Sequence, residues 1–142
     1  MTSSWQFWAL ASAVFAALTA ILAKVGVSHV DSDAATFVRT GVVLIIALGI
    51  VVAGGKAATL AQFTARNWLF LTLSGAATGL SWICYFRALQ RGPASKVAPI
   101  DKLSVVFVAI LAVLFLGERA TPRDWLGIAM IAAGAVILAL GR

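Results

Sequence analysis

The sequence predicts an all-α membrane protein with five transmembrane helices, and three observations lead there. Of its 142 residues, 62% are hydrophobic and 11% charged, with a mean hydropathy of +1.02; soluble domains run at about 45–50% apolar and about 25% charged. Five apolar blocks follow one another, each near the ~20 residues a helix needs to cross a hydrocarbon core of ~30 Å. The connections are short and carry turn residues. Continuous apolar runs exclude barrel strands, which alternate over about ten residues. The composition also excludes an ordinary soluble enzyme and a disordered tail.

The first block, Trp5–Val25, has no basic residue before it. It outruns the apolar core of about 7–15 residues in a cleaved signal peptide, so a retained span is expected. Ala9, Ala13 and Ala17 form one small-residue stripe along it, Ala16 and Ala20 another. The second block is Ala34–Gly54, with Asp33 as its expected cap. The third, Trp68–Leu89, follows Asn67 and holds Gly75 and Gly79 at GxxxG spacing. Stripes of this kind let helix backbones approach in lipid, within one chain or between subunits. The fourth block, Val97–Leu116, has Ser95 as its expected cap.

The fifth, Pro122–Leu140, has the fullest start signal: Thr121 as cap, proline next, and Asp124 three after the cap. Trp5, Trp68 and Trp125 open helices one, three and five, all on one side, at the interface that indoles prefer. Neither an internal repeat nor a second domain is visible, and residues 1–142 read as a single transmembrane domain.

Eleven Lys and Arg against five Asp and Glu give a net charge of +6. The basic residues form no stripe, so nucleic acid is not an expected partner. Sorted by helix parity, Lys56, Arg66, Arg119 and Arg123 lie on one face, and Lys24, Arg91, Lys96 and Arg142 on the other. The positive-inside rule needs an excess on one side, and none exists. Either a few dominant charges fix one orientation, or the chain inserts both ways and opposed copies pair. Two antiparallel five-helix copies would reproduce the inverted-repeat architecture of transporters.

One cysteine and one histidine exclude a disulfide framework and leave no basis for a zinc or haem site, so no metal or cofactor is expected. Cys84 reads as a small packing residue and His29 as a loop residue. No Ser–His–acid set, carboxylate pair or phosphate loop is present, so the chain does not read as an enzyme.

Charges inside the blocks cost at least about 2.5–3.5 kcal/mol each near the bilayer centre and mark candidate function. Arg39 lies about 7–8 Å along the second helix, where it either snorkels or meets a substrate. Lys24, ending the first helix, reads as an interfacial anchor. Asp101 and Lys102 are consecutive and would point about 100° apart on a continuous helix, facing different partners. If Pro99 starts the helix instead, Asp101 falls in a first turn that favours a carboxylate. The third block carries a stripe of Ser74, Thr78, Ser81 and Tyr85, flanked by Trp82 and Phe86, with Arg87 at its far end. The stripe either lines a hydrated path with aromatic walls or returns its hydroxyls to helix carbonyls.

Several features then combine into a known pattern. Lys24 and Arg39, Ala88-Leu89 followed by Gly92-Pro93-Ala94-Ser95, Leu116-Gly117-Glu118-Arg119, and Gly127 with Gly134 together resemble one half of the EamA-like transporters of the drug/metabolite transporter superfamily. The resemblance implies a ten-helix inverted repeat of which this chain is one half, completed as an antiparallel homodimer in the bacterial inner (plasma) membrane. It further implies alternating-access transport of a small metabolite. The four-helix small multidrug resistance relatives carry a glutamate midway along the first helix; Trp5–Val25 has no acid, leaving Asp101 as the acid able to replace it. Glu118 matches the family's Gly-Glu-Arg signature at the membrane edge, where bonding of loop or helix-end groups is expected.

The expected substrate site is Asp101, Lys102 and Arg39 for charge, with Trp82, Tyr85, Ser81 and Thr78 as walls. Its positive excess points to an anionic or zwitterionic substrate. Expected partners are that small molecule, membrane lipid and a second copy of the chain. Two alternatives stand beside this reading: a non-transporting membrane subunit whose charges pair with another protein's helices, and a lipid-linked carrier flippase.

Overall fold

A computed structural model describes residues 4–141; Arg142, counted above on one face, lies outside them. The order is α1 (Trp5–Gly26), α2 (Ser32–Ala53), a 3₁₀ segment (Ala57–Gln62), α3 (Ala65–Arg91), α4 (Ala94–Asp101), α5 (Ser104–Leu111) leading into a π-helical turn (Ala112–Leu116), and α6 (Pro122–Leu140). Among the described residues, five spans are long and apolar enough to cross a membrane: α1, α2, α3, the composite Ala94–Leu116, and α6. The all-α, five-span expectation is met. Most large apolar side chains on these helices are exposed, which suits acyl chains as solvent.

The chain divides into two compact units, Met1–Ile21 with Arg91–Arg142, and Leu22–Gln90. In the second, the turn between α1 and α2 ends on Asp31, whose carboxylate accepts from the amides of Asp33 and Ala34, both at 2.9 Å. Asp31, not Asp33, is therefore the cap. It has the extended backbone a cap needs, and Asp33 sits inside the first turn. Thr64 rather than Asn67 caps α3. The Asn67 amide donates to the Thr64 hydroxyl oxygen (3.2 Å), and the Asn67 side-chain oxygen accepts from the Thr64 amide (3.0 Å) and hydroxyl. The arrangement is a capping box with asparagine in the acidic position. Val27, Phe86 and Leu89 form the buried apolar residues of this unit.

In the other unit, α4 and α5 pack on α6, and Thr121 and Asp124 cap each other's amides as their spacing predicts. The fourth span departs from expectation. It starts at Ala94, with Pro93 rather than Ser95 in the cap position, and breaks after Asp101. Pro99 lies inside α4 instead of starting the helix, and it has no amide hydrogen to return to the preceding turn. The chain then tightens to i→i−3 bonding: Lys102 to Pro99 (3.1 Å), Leu103 to Ile100 (3.0 Å) and Val105 to Lys102 (3.0 Å).

At the far end Gly117 takes φ +68, and the Glu118 amide closes on the Ala112 carbonyl at 3.2 Å. Glu118 thus shapes the helix end through its backbone; among the described residues its side chain makes no bond. Cys84, expected to pack, is exposed. Of the small-residue stripes, Ala9, Ala13 and Ala17 are exposed and a Cβ at Gly75 or Gly79 would meet nothing within 4 Å, whereas in the Ala16–Ala20 stripe Ala20 is buried.

Candidate functional site

Arg39 lies seven residues past Ser32 on α2, about 10 Å along the helix axis. Its guanidinium carbon is 4.0 Å from the centroid of the Trp82 ring and 5.5 Å from that of Phe86. Trp82 and Phe86 are four apart on α3, so one helix face presents both rings. Among the described residues Arg39 has neither a carboxylate partner nor a hydrogen bond to the protein; the π faces hold it. A flat, weakly hydrated guanidinium suits that role better than an ammonium. Beside it lies a cleft of about 460 Å³, walled by Leu22, Val30, Ala34, Val38 and Phe86 among others, and Arg39 supplies its one charged side chain.

The register that sets Arg39 over Trp82 is fixed where the last turns of α3 meet the α1–α2 turn. Arg87 grips the Asp33 carboxylate with two nitrogens, Nη2 to Oδ2 at 2.8 Å and Nε to Oδ1 at 3.2 Å. Gln90 Nε2 donates to the carbonyls of Val30 (2.7 Å) and Val27 (3.3 Å). Lys24 Nζ donates to the Leu89 carbonyl (2.5 Å), placing a cation where the negative end of α3 favours one. Beneath these polar links, Leu89 and Val27 are 0% and 1% exposed. Lys24, expected as an interfacial anchor, therefore ties two helices together.

Asp101 and Lys102 belong to the other unit and behave differently from expectation. α4 ends at Asp101, so the two do not follow one continuous helix. Lys102 Nζ lies 3.2 Å from Asp101 Oδ2, with the lysine side chain 60% and the aspartate 37% exposed. The pair faces itself instead of two separate partners. Along α3, Thr78 returns its hydroxyl to the Ser74 carbonyl at 2.9 Å, Ser81 is exposed, and Tyr85 is half-buried one turn from Trp82. The structure thus brings together Arg39 and Trp82 of the expected set, and separately Asp101 with Lys102.

Sequence reasoning missed the aliphatic cleft wall and the Asp33–Arg87 pair. The pair had a readable signal, because helix parity puts the start of the second span and the end of the third on one membrane face. The aliphatic wall had none, since Leu22 and Val38 look like any residues of an apolar run. No group of three His, Cys, Asp or Glu that could hold a metal ion converges among the described residues.

Comparison with known proteins agrees with this architecture. The EamA-like transporter family matches residues 3–140. A Sinorhizobium sp. protein named as an uncharacterized transporter in the cobO 3′ region is 58% identical over 140 residues, covering 99% of each chain. A probable 4-amino-4-deoxy-L-arabinose-phosphoundecaprenol flippase subunit ArnE from Yersinia pestis (strain Pestoides F) is 36% identical over 69 residues. That match covers 49% of this chain and 60% of the relative. The Yersinia pseudotuberculosis (serotype O:3) protein of the same name gives the same figures. No solved structure matches the chain. Relatives and family alike are named for transport rather than for catalysis, and the five apolar helices make this an integral multi-pass membrane protein. With the match running nearly end to end, the chain belongs to the EamA-like transporter family.

Proposed function

We propose that the chain moves a small organic anion or zwitterion across the bacterial inner membrane by alternating access, as an antiparallel homodimer. The whole of residues 1–142 acts as one transmembrane domain, and each copy supplies one half of a ten-helix inverted repeat. The observation that carries the reading is the Arg39 guanidinium, stacked on Trp82 beside a cleft and without a carboxylate partner among the described residues. A cation inside a span is costly unless it works there. The odd span number, the even charge count on the two faces and the open glycine stripe on α3 support the dimer.

In this reading Arg39 and Trp82 receive the substrate, with Tyr85, Ser81 and Thr78 along the same helix. Asp101 and Lys102 supply a second charged group at a helix break. Irregular backbone at membrane depth is tolerated where it is buried in protein or lines a cavity. The pair neutralises itself when no ligand is present, and a charged ligand separates it.

Counterflow of labelled organic anions and zwitterions in proteoliposomes tests the proposal. Arg39→Gln, Lys102→Ala and Asp101→Asn should each abolish counterflow while folded protein is recovered at wild-type yield; normal counterflow in all three removes the site. Orientation is read with C-terminal cytoplasmic-fluorescent and periplasmic-phosphatase reporters, both active if the chain inserts both ways. A second reading is favoured by the Yersinia relatives, whose name is that of a flippase subunit. This chain would then pass a lipid-linked carrier, alone or with a different partner, and would purify with that partner rather than as a homodimer.

A further inference from the structure

We infer that the cleft beside Arg39 takes an amphiphilic anion, a carboxylate or phosphate carried on an apolar chain; this rests on the transport reading of the cleft and narrows its substrate class. The head group follows from Arg39. A guanidinium has five N–H donors, and among the described residues this one gives none of them to the protein. One face lies on Trp82, leaving the edge with its paired donors for an oxyanion, the geometry in which arginine binds carboxylate and phosphate bidentately.

Zwitterions fit poorly. Their ammonium needs a carboxylate or an aromatic face. Among the described residues no acidic one lines the cleft, and the faces nearest it, Trp82 and Phe86, already carry Arg39.

The rest of the ligand follows from the wall. Apart from Arg39, the lining side chains are aliphatic, aromatic or absent, as at Leu22, Gly26, Val38 and Phe86. A sugar or polyol placed there would give up its water without finding side-chain partners, which is unfavourable for each hydroxyl. An apolar chain loses nothing by entering. The volume of about 460 Å³ lies within the range of about 300–1,000 Å³ that encloses drug-sized molecules, so it admits a head group with the first part of a chain.

The test uses the purified full chain in a neutral maltoside detergent, with thermal unfolding followed by tryptophan fluorescence. Three probes separate head from tail: dodecyl phosphate, dodecylphosphocholine with the same chain but a neutralised head, and inorganic phosphate. Dodecyl phosphate should raise the unfolding temperature saturably while the other two do not. Arg39→Gln should weaken that effect about 10–100-fold, the loss expected for a charge-assisted bidentate contact. Ala34→Leu, which narrows the cleft and keeps the charge, should weaken it too, so a folding defect in one variant does not decide the outcome.

If inorganic phosphate stabilises as strongly as dodecyl phosphate, the amphiphile class is overturned while the Arg39 site stands. If dodecylphosphocholine matches dodecyl phosphate, or Arg39→Gln changes nothing, the inference is overturned. The transport reading is then judged separately by counterflow.

Discussion

Arg39 and the Asp101–Lys102 pair are charges within apolar helices, and they resolve that difficulty in opposite ways. Arg39 has no acidic partner among the described residues and spreads its charge over two aromatic rings on a neighbouring helix. Asp101 and Lys102 neutralise each other at a helix break, within two consecutive residues. The first solution needs another helix held in register; the second needs only a local turn. A stacked cation still has its donors available, whereas a closed ion pair must be opened before either member can bind. Arg39 is therefore the group prepared for a ligand, and the pair is the group a ligand would have to disrupt.

The largest effect on this comparison should come from removing what holds the register. Leu89 is fully buried under the Lys24, Gln90 and Arg87 links. Leu89→Ala should destabilise the fold by about 2–5 kcal/mol, read from reversible unfolding in mixed micelles. Trp82 emission should shift red as Arg39 leaves the ring. Leu114→Ala, at a residue 70% exposed, should change stability by less than about 0.5 kcal/mol. Equal losses at both positions would mean that the register does not depend on this small core.

Arg39→Leu separates stability from function. The substitution loses a stacking contact of about 0.5–2 kcal/mol but also removes a cation that is unfavourable in an apolar setting. The unfolding free energy should stay level or rise while anion binding disappears, the trade expected of a strained functional group. A fold that collapses without Arg39 would make the residue structural. Lys102→Leu should move stability the other way in the same unfolding assay, with a small loss, because it leaves Asp101 without its partner.

A smaller effect is expected where the fourth span ends. Gly117 has φ +68 with open space around it, so Gly117→Ala tests backbone strain without steric crowding. Its loss should be about 1 kcal/mol, measured by the same unfolding assay. The Glu118→Gln change should be nearly silent for stability, since the contact made there is through the backbone.

What could be read from the sequence was whatever depends on neighbours along the chain. Each span was visible because about 20 apolar residues in succession have few other solutions. The Thr121–Asp124 box was visible because cap, proline and acid are adjacent. The caps of α2 and α3 were placed two or three residues too late, because Asp31 and Asp33, and Thr64 and Asn67, are equally capable types. Which one adopts the extended backbone is decided by the turn that precedes it. For Pro99 local reading leaves two solutions, a helix running from Ser95 through it or a helix starting at it; the structure takes neither, because the helix begins at Ala94 and breaks just past the proline. The meeting of Arg39 with Trp82 was beyond local reading: both residues were singled out, but their stacking depends on the register of α2 against α3. That register is set by contacts more than fifty residues apart, such as Asp33 with Arg87.

The last expected effect, also small, concerns the self-paired charges. A double-mutant cycle on Asp101→Asn and Lys102→Gln should give a coupling of no more than about 1 kcal/mol, because both groups are partly exposed and the pair is adjacent in sequence. A weak coupling is what the proposed role requires, since a ligand must be able to replace the intramolecular partner with little opposition. A coupling of several kcal/mol would instead mark a closed structural pair that no small substrate could open. Arg39, already without an acidic partner, would then be left as the charged group accessible to a ligand, and the two regions would divide into one that binds and one that holds the helix break in shape.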